Sequence, residues 1–130
     1  MYAALLKKEM MFERAFVKAG GLLVAGCDPS GYGGVLPGFG DQREIELLVE
    51  AGFTSLEAIH IATQNGAMFL GKDDTIGSIT AGKAADLVVL TENPAQNIDA
   101  VETVETVFKD GIGYDPAKLA RSVQGLSGLR

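Results

Sequence analysis

A chain of 130 residues with 47% apolar composition is long enough for one modest domain and is composed like a globular protein rather than a disordered one. Its 17 acidic residues against 11 basic ones give a formal charge of -6 with no Lys/Arg cluster, so it lacks the electrostatic footprint of a nucleic-acid binder and is a poor match for an anionic membrane surface. The single cysteine, Cys27, excludes an intramolecular disulfide and a thiolate zinc cluster within one chain, and fits a reducing compartment.

Residues 1–18 place apolar side chains at Leu5, Phe12, Phe16 and Ala19, and again at Tyr2, Leu6, Met10 and Val17, which is helical spacing with a broad apolar face. Lys7, Lys8, Glu9, Glu13 and Arg14 interrupt the stretch, so it is neither a signal-peptide core nor a membrane span, and a cytoplasmic location is expected. Gly20-Gly21 stops the helix. Residues 22–25, Leu-Leu-Val-Ala, form a short apolar run without alternation, the pattern of a strand covered on both faces in a parallel α/β sheet.

Residues 28–41 are too rich in Gly and Pro for a regular element and read as a loop after that strand. Asp41 is expected to cap a helix over 42–51 that Gly52 ends. Thr54 opens another helix, with Glu57 completing a capping box and Leu56, Ile59, Thr63, Ala67 and Leu70 forming its inner face up to Gly71. Beyond Gly71 the character changes to β: residues 76–79, 87–90 and 104–108 are strand-like runs, and Asp110-Gly111 is a hairpin signal because both turn positions tolerate positive φ. Asp115-Pro116 starts a last short helix with Leu119 and Val123 inward, and the Ser/Gly-rich end beyond it is expected to fray.

Asp28 is the first candidate for chemistry. It follows the buried strand directly and opens a loop, where a carboxylate can face a ligand at the C-terminal mouth of a sheet or barrel. Asp before Pro also initiates turns by accepting backbone N–H bonds, so position alone leaves both readings open. A phosphate cradle at Gly31 and Gly33 fails its fingerprint, because the third glycine position is Leu36 and no Gly-Lys-Ser/Thr follows. His60, the only histidine, lies within a helix with no partner histidine four residues away and reads as structural. Cys27 has no base near it in sequence and reads as a small buried thiol, while Ser30 lacks the Gly-x-Ser-x-Gly elbow of serine hydrolases. Tyr32 and Phe39 read as anchors of the loop rather than pocket walls.

The order and spacing of several short motifs are more specific than any one of them. They are Val24-Ala25-Gly26-Cys27-Asp28, Pro37-Gly38, Ala51-Gly52-Phe53-Thr54-Ser55-Leu56-Glu57-Ala58-Ile59, Ala62-Thr63-Gln64-Asn65-Gly66-Ala67, Leu70-Gly71, Ile76-Gly77-Ser78-Ile79, Ala81-Gly82-Lys83-Ala84-Ala85-Asp86-Leu87-Val88-Val89-Leu90 and Asn93-Pro94. Together they resemble the amidohydrolase superfamily, in its imidazolonepropionase-like and prolidase-like branch. The resemblance implies an α/β fold, the last strand-helix portion of a (β/α)8 TIM-like metal-dependent hydrolase barrel plus part of a small β-sandwich. Residues 1–71 would be the end of the barrel and 72–130 the sandwich part with a short terminal helix.

In that family the aspartate matched by Asp28 contacts the active-site metal, takes a proton from the metal-bound water and passes it to the leaving nitrogen. The resemblance therefore implies Asp28 as both catalytic residue and metal ligand, a divalent metal, zinc by preference, in the full-length parent, and a small-molecule substrate with a C–N bond. The family's His-x-His pair, its carboxylated lysine or glutamate and its two further histidines come from earlier strands and have no counterpart here. A zinc site takes three or four protein ligands and a complete barrel ~250 residues, so the isolated chain is expected to bind no metal and to be inactive. The stretch through Asp86 reads as structural.

Leaving Leu22, Leu23 and Val24 uncovered would forfeit ~1.5 to 3 kcal/mol each, a sum comparable to the ~5 to 15 kcal/mol stability of a domain. The chain is thus expected to pair with a missing N-terminal barrel portion or to self-associate. The other reading is a non-catalytic interaction module that keeps the scaffold.

Overall fold

The computed structural model describes residues 2–29, 35 and 38–125. Helix α1 (Tyr2–Lys18) forms as its periodicity predicts, yet none of its residues is buried. Val17 touches the core and Arg14 lies 5.0 Å over the Phe53 ring, whereas Tyr2, Met11 and Phe12 stand more than two-thirds exposed. A helix with two apolar faces has more greasy surface than the 130 residues can cover.

The chain ends α1 at Gly20, which takes φ of 89°, and runs through residues 21–29 without helix, turn or strand assignment. The expected strand over 22–25 is therefore not a strand among the described residues. A strand is defined by the neighbours that satisfy its N–H and C=O groups, and the three strands present are all drawn from 87–114. Leu22 stands 41% exposed, against the expectation of burial on both faces.

Helix α2 (Gly40–Glu50) begins two residues earlier than its pattern predicts. Phe39 is its N-cap and no side chain caps it; Asp41 instead sits in the first turn, where a carboxylate favours the helix dipole. Gly40 belongs to the helix because its missing Cβ admits a close approach: a methyl there would clash with Val35 and press on the Cys27 sulfur.

The next helix is opened by the capping box that its sequence predicts. Thr54 Oγ1 accepts from the Glu57 N–H at 3.3 Å and the Glu57 carboxylate accepts from the Thr54 N–H at 2.7 Å. Thr54→Ala is expected to lower stability by about 1 kcal/mol, read as a shift of the urea midpoint; no shift would deny the box its role. From this cap run α3 (Ser55–His60), a π-helical turn (Ile61–Asn65) and α4 (Gly66–Phe69). The predicted inner face is corrected here. Ala67 is buried as expected, but Leu56 and Leu70 stand 66% and 64% exposed, and Ala58, Ile61 and Asn65 are buried instead. Ala58 and Ile61 pack with Leu48 and Phe53, so the inward face is set from Ala58 onward, two residues out of step with Leu56.

The core is Leu48, Phe53, Ala58 and Ile61, with Val17, Leu23, Ala25, Ile45, Val49 and Ala51 around it. Beyond it the β half is one antiparallel sheet in the order β1 (Leu87–Leu90), β2 (Val104–Lys109), β3 (Ile112–Tyr114). Val88 faces Val107, and Phe108 faces Gly113. The hairpin at Asp110-Gly111 forms as expected, with φ of 51° and 78°. A 3-10 turn (Ile98–Glu102) between β1 and β2 buries Ile98, Ala100 and Val101 and packs on α2, where Gln42 Nε2 donates to the Val101 carbonyl at 3.2 Å.

The expected strand over 76–79 is a series of bends. Lys83 explains it: its ammonium donates to the carbonyls of Asp73 and Ile76 and to Ser78 Oγ, gathering the segment into a loop around one charge. Helix α5 (Pro116–Ser122) starts as predicted, with the Asp115 carboxylate accepting from the Lys118 N–H at 3.1 Å. Leu119 and Val123, expected inward, stand 45% and 59% exposed, although α5 contacts β2, the middle strand of the sheet. The frayed end expected beyond α5 falls on 126–130, outside the described residues.

Candidate active site

Asp28 ends the irregular stretch 21–29 and, with Glu13 of α1 and Phe39, Arg43 and Glu44 at the start of α2, lines an open cleft of about 450 Å³. Asp28 was expected at the mouth of a sheet or barrel directly after a buried strand; here it follows an irregular stretch instead. Phe39, read as a loop anchor, is 72% exposed at the rim of that cleft, which corrects the anchoring expectation. Ser30, Gly31, Tyr32 and Gly33 lie outside the described residues.

Glu44 joins α2 to the stretch that carries Asp28. Its carboxylate accepts from the Gly26 N–H at 3.1 Å through Oε1 and from the Cys27 thiol at 3.1 Å through Oε2. Sequence reasoning gave Glu44 no role. The available signal was its place four residues before Leu48, on the side of the helix that turns inward.

The negative charge gathered here shapes the titration of its neighbours. Hydrogen bonding to Glu44, then burial, then Asp41 push the Cys27 thiol from near 9 up to about 12. Cys27 is thus a hydrogen-bond donor rather than a nucleophile, and its alkylation by iodoacetamide at pH 8.5 is expected to be slower than in the urea-unfolded chain by a factor on the order of 10² to 10³. A rate within fivefold of the unfolded one would contradict it. Because the folded value is the higher, the thiol's contribution to stability is complete below pH 9 and is lost as pH rises through about 12. Burial, then Glu44 and Glu9, also raise the Glu13 carboxyl.

His60 closes α3 on the exposed side. Among the described residues no group of three or more His, Cys, Asp or Glu side chains could hold a metal ion. The described residues, Asp28 included, do not fit a metal by themselves. The Gly-Lys-Ala-Ala-Asp stretch is structural as expected: Asp86 accepts from the Asp110 N–H at 2.9 Å and from Lys109 Nζ at 3.0 Å, pinning β1 to the hairpin. These two donors, the backbone one foremost, hold the Asp86 carboxyl below its ordinary range.

The chain matches the amidohydrolase family over residues 7–113. It is 36% identical over 115 residues to the imidazolonepropionase of Clostridium tetani, an alignment that covers 82% of this chain and 26% of that one. Among solved structures, phenylurea hydrolase B superposes with a TM-score of 0.69 at 30% identity, over 90% of this chain and 28% of that one. An Xaa-Pro dipeptidase with bound methionine in its active site superposes with a TM-score of 0.56 at 39% identity, over 58% and 19% of the two chains. The chain belongs to the amidohydrolase family. It spans 26% of the length of the Clostridium tetani relative and 28% of phenylurea hydrolase B.

Proposed function

We propose that this chain is the closing part of a hydrolase that cleaves a C–N bond of a small molecule by attack of water, with Asp28 handling the proton. The observation that carries the reading is Asp28 lining an open cleft in a chain that matches the amidohydrolase family over residues 7–113. Water adds to the carbon, its proton passes to the Asp28 carboxylate, and Asp28 returns a proton to the nitrogen as the C–N bond breaks. Residues 1–71 would be the end of a (β/α)8 barrel and 72–130 part of a small β unit beside it.

The reading also explains where apolar surface is exposed. Tyr2, Phe12 and Leu22 at one side, and Leu56 and Leu70 on the helix after Thr54, would be covered by the rest of the barrel; without it, self-association would hide them. A divalent metal, zinc by the resemblance, would draw its ligands beyond Asp28 from that same remainder. The three relatives are named for different compounds, an imidazolonepropionate, a proline dipeptide and a phenylurea, so the substrate is proposed only as a small C–N compound.

The test is a chimera in which this chain replaces the matched quarter of the Clostridium tetani imidazolonepropionase, assayed on those three compound classes with Asp28→Asn beside it. Turnover that depends on Asp28 is the expected result. A soluble chimera whose turnover of every compound is indifferent to Asp28 would favour the non-catalytic scaffold.

A further inference from the structure

Residues 21–29 carry the candidate carboxylate but have no strand neighbour among the described residues. Something else must hold them, and two side chains from distant parts of the sequence do. Asn65, 9% exposed at the end of the π turn, donates from Nδ2 to the Leu23 carbonyl at 2.7 Å across 42 residues of chain. Glu44 receives the Gly26 N–H and the Cys27 thiol on its two oxygens.

The chemistry of the two contacts is complementary. Asn65 supplies a donor to a backbone acceptor, and Glu44 supplies an anionic acceptor to a backbone donor, so the stretch is tied by its carbonyl at one end and its amide at the other. A carboxylate accepting from two consecutive residues also fixes the direction of the second, Cys27, because both its oxygens are committed. Residue 28 then leaves from a peptide whose position is already set. Gly40 lets α2 come close enough for this, since a Cβ there would press on the Cys27 sulfur. The π turn gives Asn65 its place, since it begins at Ile61, which with Ala58 is locked in the core.

We propose that Glu44 and Asn65 are positioning residues: they clamp the stretch before Asp28 at Gly26–Cys27 and at Leu23, and so set where the Asp28 carboxylate stands in the cleft. This rests on the reading of Asp28 as the reaction's carboxylate, and its test is independent of turnover. In the labelled full chain, amide exchange of Gly26 and the Hα–Hβ couplings of Asp28 are read by NMR for the wild type, Glu44→Gln and Asn65→Asp. Glu44→Gln keeps the shape and removes the charge; Asn65→Asp keeps the shape and removes the donor.

The expected result is a slow Gly26 amide and a single Asp28 rotamer in the wild type. Glu44→Gln speeds Gly26 exchange about tenfold, because a charge-assisted hydrogen bond is roughly twice as strong as a neutral one. Both variants move the Asp28 couplings toward rotamer-averaged values, while the Ala58 and Ile61 amides stay within twofold. Asp28 couplings unchanged in both variants would overturn the proposal. So would loss of Ala58 and Ile61 protection in both, which would assign the two residues to general stability. If the couplings respond as expected but the chimera is indifferent to Asp28→Asn, the clamp stands and the catalytic reading of Asp28 falls.

Discussion

Phe53→Ala is expected to lower the unfolding free energy of this chain by about 3 to 5 kcal/mol. Phe53 is 5% exposed and sits among Leu48, Ala58 and Ile61, the buried cluster that joins α2 to α3. Removing the ring leaves a cavity between α2 and α3, the second of which is held at its start by the Thr54–Glu57 capping box. The Arg14 guanidinium, 5.0 Å over the ring, loses its face as well, and with it a tether of α1 to the core. Against a total of ~5 to 15 kcal/mol the loss leaves a fraction of the molecules unfolded in plain buffer at the lower end of that range. Phe69→Ala serves as the comparison: that ring is 70% exposed and its loss is expected to change stability by about 0.5 kcal/mol or less. Urea unfolding followed by circular dichroism, at one fixed protein concentration, measures both. Equal shifts for the two variants would mean that the core is not where the structure puts it.

Local chemistry was legible in the sequence wherever a few adjacent residues decide the outcome. The capping box at Thr54 and Glu57, the positive-φ pair Asp110-Gly111 and the Asp115 cap all form as their residues dictate. Where the outcome depends on what lies across space, the sequence misled. Residues 22–25 have a strand's composition but no neighbour to make a ladder. Residues 76–79, Ile-Gly-Ser-Ile, were also expected as a strand and are bent around the Lys83 ammonium, a contact that spans seven residues to Ile76 and ten to Asp73. The inner face of the helix after Thr54 begins at Ala58 rather than Leu56, because it is set by packing on Leu48 and Phe53, which the helix's own periodicity does not record.

The site divides in the same way. Asp28 was found from a motif, a local property. Glu44 was missed, because its significance is contact with residues 17 and 18 positions away, and in sequence it is one more charge in Arg-Glu-Ile-Glu. Asn65 was quoted as part of a motif and given no role, though it is the buried polar residue that reaches Leu23. In both cases the function of the side chain is to hold backbone, which leaves no chemical signature in the residue type.

Asp28→Asn in the chimera is expected to lower kcat by about 10²- to 10⁴-fold, the range that a positioned proton carrier contributes. Asparagine has the volume of aspartate and keeps a carbonyl acceptor, so substrate still enters the cleft and KM is expected to change by less than about threefold, a loss confined to the transition state. Asparagine cannot take up the proton of the attacking water or return one to the leaving nitrogen, and both transfers are removed by one substitution. Asp115→Asn, at the α5 cap and away from the cleft, supplies the control for a change of charge alone. A rise in KM with kcat preserved would move Asp28 from proton carrier to binding group. A kcat within threefold of the parent chimera would remove it from the reaction altogether, and with it the reason for an acidic cleft whose neighbouring carboxylate, Glu13, is raised by burial and by Glu44 and Glu9.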